Sequence, residues 1–170
     1  MKTVFCSAIL LLTLVSCDID QSPQYRTNEA HTSILMAEQV ITALQNRSAE
    51  EYVGMFPALR EFHEIMEANS DVYGESLAVA KQEFAATYES RLTRDVKDAF
   101  DRVLDEGDKR GITWSTIRLD RVDAPKATGQ FAHAQVSIVF TANGQKHRLI
   151  LEKALILNSQ WKVSQFIKLI

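Results

Sequence analysis

From Phe131 to Ile170 apolar and polar positions exchange at nearly every second residue, with interruptions at Asn143-Gly144 and at Asn158-Ser159-Gln160. This pattern predicts three antiparallel strands joined by two tight turns. Asn143-Gly144 suits a type I′ turn, because both central positions need positive φ and these residues accept it cheaply. A two-residue loop there sets Ala142 against Gln145 and aligns Phe140, Ile138, Val136 and Ala134 with His147, Leu149, Leu151 and Lys153. The alternate positions (Thr141, Val139, Ser137, Gln135 and His133; Lys146, Arg148, Ile150 and Glu152) are more polar, so one face should be covered and the other wet. For the second turn the sequence predicts a three-residue loop pairing Leu157 with Trp161. Leu155, Lys153, Leu151 and Leu149 then face Val163, Gln165, Ile167 and Leu169, whereas a two-residue loop would send Trp161 and Val163 to the wet side.

In that register Lys153 enters the apolar face between Ala134 and Gln165. An unpaired buried ammonium costs several kcal/mol, roughly, so it needs a partner, water or an anion. Lys153 and Gln165 are therefore candidate polar residues of a pocket. The competing reading is that Lys153 snorkels past a sheet edge or that a bulge turns it outward.

Upstream the period becomes helical. Glu29 to Asn46 carries Ile34, Ala37, Val40, Ile41 and Leu44. Ser48 and Glu51 form a capping-box pattern before a stripe of Tyr52, Met55, Phe56, Leu59, Phe62 and Met66, which Pro57 interrupts. After Asn69-Ser70-Asp71 a long stripe holds Leu77, Ala80, Phe84, Tyr88, Leu92, Val96, Phe100, Val103 and Leu104; Thr93 marks a restart and Gly107 or Gly111 an end. Such stripes read as core, packed against the sheet. A first strand, about 112–122, has ambiguous parity: Trp114 favours one face and Ile117 with Leu119 the other, which a bulge between Trp114 and Ile117 would reconcile. A connection follows through Asp123-Ala124-Pro125 and Thr128-Gly129. Helices first and a four-stranded antiparallel meander afterwards predict an α+β domain with its helices on one face of the sheet.

The amino terminus follows other rules. Lys2, an apolar run from Val4 to Thr13 and then Leu14-Val15-Ser16-Cys17 have the form of a secretory signal, too short to span a membrane. The last four residues resemble the bacterial lipoprotein lipobox. The resemblance implies a signal peptide at 1–16, cleavage before Cys17, diacylglycerol on the Cys17 thiol and a fatty acyl chain such as palmitate on the new amino group. Two or three chains hold a protein firmly on a membrane, since each buried CH₂ contributes about 0.8 kcal/mol. Asp18 resembles an inner-membrane retention signal of enteric bacteria, but sorting rules differ between groups, so the choice of membrane in the cell envelope stays open. Residues 17–28 read as the lipidated cysteine and a polar tether. Residues 29–170 read as one domain, of a size that one core commonly supports.

Composition narrows the chemistry. The chain has two cysteines; Cys6 leaves with the signal and Cys17 carries lipid, which removes disulfides, thiol nucleophiles and cysteine zinc sites from the mature domain. Nineteen Lys and Arg against 22 Asp and Glu give a net charge of −3, with no basic run interleaved with aromatics, so no nucleic acid partner is expected. His31, His63, His133 and His147 lack metal-ligand spacing, and no phosphate loop or G-x-S-x-G elbow occurs. Asp95, Asp98, Asp101, Asp105 and Glu106 read as a solvated helix face, and an Asp120–His133 pair requires strands one and two to adjoin.

The helical first half, Gly111-Ile112-Thr113-Trp114 opening the sheet, and the closing Ser159-Gln160-Trp161-Lys162-Val163 resemble the cystatin-like, nuclear-transport-factor-2-like superfamily, including small lipoproteins that carry this cone-shaped fold. The resemblance implies a curved sheet around a long helix with an apolar pocket between. It departs from the usual pattern in having no strand between the early helices. Superfamily members include isomerases, dehydratases and many non-enzymatic binding or dimerising domains. With no concentrated acid–base set, no catalytic residue, cofactor or metal is assigned. The reading is a membrane-anchored, non-catalytic domain for a small amphiphile, a peptide or a protein partner. Two alternatives are a pocket enzyme of isomerase or dehydratase type, and a structural homodimer joined through Val139, Ile150 and Phe166.

Overall fold

Helix α1 (Pro23–Asn46) opens on a proline, whose fixed φ and missing N–H suit the first helical turn. The computed structural model describes residues 23–125 and 131–170. The leader, Cys17, the first part of the tether and Thr128-Gly129 lie outside the described residues. The helix starts six residues before the apolar periodicity does, so residues 23–28 belong to α1 rather than to the tether. Its inward stripe is Ser33, Met36, Ala37, Val40, Ile41, Ala43 and Leu44; Ile34, placed inward by spacing alone, is 42% exposed. The helix ends with Arg47 at φ 52° and the Ser48 amide donating to the Ala43 carbonyl, a C-terminal motif usually built on glycine.

Ser48 caps α2 (Ala49–Val53), its Oγ accepting from the Glu51 amide at 3.2 Å. The chain turns at buried Pro57 into α3 (Leu59–Ala68), α4 (Ser70–Tyr73) and α5 (Leu77–Thr87). One π-helical turn, Tyr88–Leu92, then leads into α6 (Thr93–Lys109). Thr93 does begin a new helix, but the stripe on its two sides does different work. Val96, Phe100, Val103 and Leu104 enter the main core, whereas Phe84 and Tyr88 pack on Phe62 of α3, with ring centroids 5.0–5.9 Å apart. The α3–α5 segment is thus an arm with its own aromatic cluster, which corrects the expectation that the whole stripe lies on the sheet.

Gly111, at φ 75°, ends α6: its amide donates to Asp108 and the next, Ile112, to Gly107, satisfying two terminal carbonyls. Gly107 sits inside the helix for a different reason. A Cβ there would lie 2.0 Å from the Trp114 ring, so the indole rests on bare backbone. The indole N–H donates to Asp108 Oδ1 at 3.0 Å, and Arg47 grips the same carboxylate through both terminal nitrogens, at 3.0 and 2.7 Å. One aspartate so ties the ends of α1 and α6 to the start of the sheet.

Trp114–Thr116 is a 3₁₀ turn, and it performs what a bulge between Trp114 and Ile117 was expected to do: both side chains are buried. Strands β1 (Arg118–Asp123), β2 (His133–Ala142), β3 (Gln145–Leu157) and β4 (Gln160–Val163) follow in antiparallel order, and β5 (Ile167–Leu169) pairs with β3 beyond a break at 164–166. The fold is α+β, with α1 and α6 against the inner face of the sheet. Asn143-Gly144 takes positive φ at both positions, and the β2–β3 register runs as expected from Ala142–Gln145 to Val136–Leu151.

Past that point the register changes. Ala134 pairs with Ala154, so β3 carries one extra residue around Glu152-Lys153. The second turn is also two residues rather than three, with Asn158 and Ser159 at φ 49° and 64° and Leu157 opposite Gln160. These departures cancel. The bulge reverses the facing of everything beyond it, so the short turn still buries Trp161 and Val163, and the far pairs Leu151–Ile167 and Leu149–Leu169 stand as the sequence predicts.

Candidate binding surface

The space between the helices and the inner face of the sheet is filled with rings. Tyr52 stacks on Phe100 with centroids 5.1 Å apart and meets Phe56 edge-on; Trp114 lies over Phe140, which stacks on His147 at 5.3 Å. Tyr52, Phe100, Phe140, Leu149 and Leu151 are fully buried. Burial pushes the Tyr52 phenol above its ordinary range, and its hydroxyl reaches the Gln165 carbonyl at 3.5 Å. Among the described residues the polar tip of this core thus has a long, weak partner.

The two residues read as possible pocket groups are placed apart from such an interior. Lys153 is exposed, turned out at the bulge, while Ser164 donates to its carbonyl through both the amide and Oγ. Gln165 is half-buried in the break between β4 and β5, so the two are not paired across strands. The cause is the extra residue in β3, which periodicity does not disclose. Cys17 lies outside the described residues. Asp120 and His133 are also separated: β1 pairs with β2 only over residues 137–141, about 20 Å of strand from His133 at ~3.3 Å per residue. Asp120 instead pairs with Lys146 at 2.7 Å. His31 and His133 are exposed, and His63 lies on the α3 arm. Among the described residues no cluster of three metal-capable side chains occurs, and no helix is long and apolar enough to cross a membrane.

What the fold does assemble is surface. The outer face of the sheet presents Arg118, Arg121, Lys146, Arg148 and Lys168, all exposed. Three have carboxylate partners: Arg121 with Asp123, Lys146 with Asp120 and Lys168 with Glu152. Arg118 and Arg148 have no ion pair among the described residues, and between these cations lie Val139, Ile150 and Ile170. Two shallow depressions flank Ile170, one of about 400 Å³ beside Arg148 and one of about 360 Å³ against α6. A third, about 490 Å³, lies between α1, α2 and β4 near Gln39, Met55 and Trp161. Sequence reasoning placed Lys146 and Arg148 on the wet face but missed the contribution of β1, because the bulge at Asp120 hides which of its residues share that face.

Scans against protein-family models and searches of curated proteins and of solved structures return no match to this chain. The likeness to the cystatin-like superfamily therefore rests on element order and the residues quoted for it, and no family is assigned.

Proposed function

We propose that this protein is a lipid-anchored domain of the bacterial cell envelope that binds a protein partner through the exposed surface of its sheet and performs no catalysis. One observation carries the choice of surface over interior: the volume in which a small amphiphile or a substrate would sit holds Tyr52 packed on Phe56 and Phe100, and Trp114 packed on Phe140, all five buried. A packed interior of this kind leaves no cleft in which acid and base can converge on a reacting atom. The outer face offers apolar side chains set among five cations, two of which, Arg118 and Arg148, have no ion pair among the described residues, the composition of a recognition surface.

Photo-crosslinking in the native host tests this. With p-benzoylphenylalanine at Arg148 or at Phe166 the expected result is a discrete protein adduct, whereas the same group at Asp101 on the exposed side of α6 yields none. Equal labelling at all three positions, or a tightly held amphiphile extracted from the purified protein, would overturn the reading. Anchoring is tested separately. Cys17→Ala should abolish lipid labelling and release the protein from membranes; a mutant that still runs as the processed, membrane-bound form refutes the lipobox.

A further inference from the structure

Strand β4 carries a tryptophan whose polar atom is uncommitted. Trp161 belongs to the main core, on a strand against which α1 lies, and is 7% exposed. Its indole N–H nevertheless has no acceptor among the described residues. The nitrogen is not sealed off either: the buried side-chain nitrogens and oxygens that lack a partner among the described residues belong to His63 and Ser137, so solvent reaches Trp161 Nε1. Trp114 shows the usual outcome, its N–H held by Asp108 at 3.0 Å. Buried indoles generally find such a partner, and one that has not, at the wall of a depression, calls for an acceptor from outside.

Trp161 lines the 490 Å³ depression between α1, α2 and β4, and the groups around it are of two kinds. The side-chain amides of Gln39 and Gln160 are exposed and have no hydrogen-bond partner among the described residues. Thr42 donates its hydroxyl proton to the Glu38 carbonyl, which leaves its oxygen to accept, and the exposed Glu51 carboxylate accepts from Asn46 with lone pairs left over. Donors that need acceptors thus stand beside acceptors that need donors, next to apolar Met55 and the indole ring. Charge rules out other ligands. Lys162, the cation of the lining, is committed to both oxygens of Glu61 at 2.9 and 3.0 Å, while Glu51 repels an anion. A simple amine would answer Glu51 but neither amide nor the indole, and an aliphatic chain would answer none of them. We infer that this depression is a second binding site, separate from the partner-binding face of the sheet, and that it takes a neutral saccharide. A sugar ring carries hydroxyls that donate and accept on adjacent carbons, which suits amides that do the same, and its C–H face lies against Met55 and the indole. A peptide strand sets its donors and acceptors on alternate sides and brings side chains that need pockets of their own.

Gly54 supplies a blocking variant. It lines the depression at the end of α2 with φ −60°, and a Cβ there would meet the Glu51 and Glu50 carbonyls at 3.4 and 3.5 Å, ordinary contact, so Gly54→Phe suits the backbone and narrows the site. The test uses the full chain, ¹⁵N-labelled, with cellotriose, maltotriose and chitotriose as probes and with N-acetyl-trialanine amide and inorganic phosphate as controls. In the free protein the Trp161 indole hydrogen should exchange with water about tenfold faster than that of Trp114, the signals being told apart by Trp161→Phe. At least one trisaccharide should shift the Trp161 indole and the Gln39 and Gln160 side-chain amides with a Kd of about 1 mM, as an open site allows, and leave the Trp114 indole unmoved. Gln160→Ala should weaken that binding about fivefold, the share of one neutral hydrogen bond, and Gly54→Phe should abolish it while the other signals keep their folded positions. Silence with all three sugars, a Trp161 indole as protected as that of Trp114, an equal response to the peptide or to phosphate, or binding that survives Gly54→Phe would overturn the inference. Crosslinking at Arg148 reads a different face, so the two proposals stand or fall separately.

Discussion

Gly107 is the residue on which the junction of helix and sheet depends. Any side chain there would occupy the space of the Trp114 indole, whose N–H is already committed to Asp108. Gly107→Ala is therefore expected to cost about 3 kcal/mol, the upper range for overpacking, despite alanine's better helix propensity. Chemical denaturation measures the loss, and a red-shifted tryptophan emission reports the displaced ring. The Arg47 guanidinium holds the Asp108 carboxyl below its usual range, so this carboxylate stays charged and keeps both contacts through mild acid. Ser159 illustrates a smaller strain, an L-residue at φ 64° in a turn that glycine fits better. Ser159→Gly should stabilise the fold by about 1 kcal/mol in the same assay. Lys153→Met should change stability by less than about 0.5 kcal/mol, since the ammonium is in solvent; a loss above ~2 kcal/mol would place it on a buried partner after all.

At the scale of elements, the α3–α5 arm is joined to the body by few polar contacts. Lys162 on β4 meets Glu61 at 2.9 Å and the Tyr88 hydroxyl donates to the Pro57 carbonyl at 2.8 Å. Burial alone would raise the Glu61 carboxyl, but the Ala58 amide and the Lys162 ammonium outweigh it and hold it below the ordinary value. A carboxyl lowered in the folded state contributes stability that is present above its unfolded pKa, about 4.3, and is lost as pH falls through the folded value. The arm is thus expected to loosen in acid, as pH falls below the ordinary glutamate range and through the lowered value of Glu61, seen as loss of the near-ultraviolet circular dichroism of Phe62, Phe84 and Tyr88. Glu61→Gln should remove that acid-dependent step and cost about 1 kcal/mol at neutral pH. The strands show how far pattern reaches. Asn143-Gly144 and the alternation around it are local, so the β2–β3 hairpin was legible. The extra residue at Glu152-Lys153 is held by pairing to three other strands and leaves no local mark, so Lys153 was misplaced. The long helical stripe was legible as helix, but its partners were not: nothing in Phe84 or Tyr88 says that they meet Phe62 rather than the sheet.

The whole molecule joins a core built from distant parts of the chain to an arm that is local in sequence. α1 lies on β1 and on β4, and Gln45 Nε2 donates to the Ile117 carbonyl 72 residues away. Composition and element order were enough to give the α+β class. The outer-face cations and the depression beside Trp161 were not readable, because they depend on which strands adjoin and on where α1 and α2 meet β4. This arrangement also fixes the order of assembly. The arm closes over short loops, whereas the seat of α1 is completed only once β4 has been made, and contacts so far apart in sequence form slowly. Chains interrupted before β4 will lack one of the strands on which α1 lies, so refolding should show a rapid arm phase followed by a slow phase that vanishes in such truncations. Until Trp161 and Val163 emerge, the nascent chain has a folded appendage and an unfinished body to carry it.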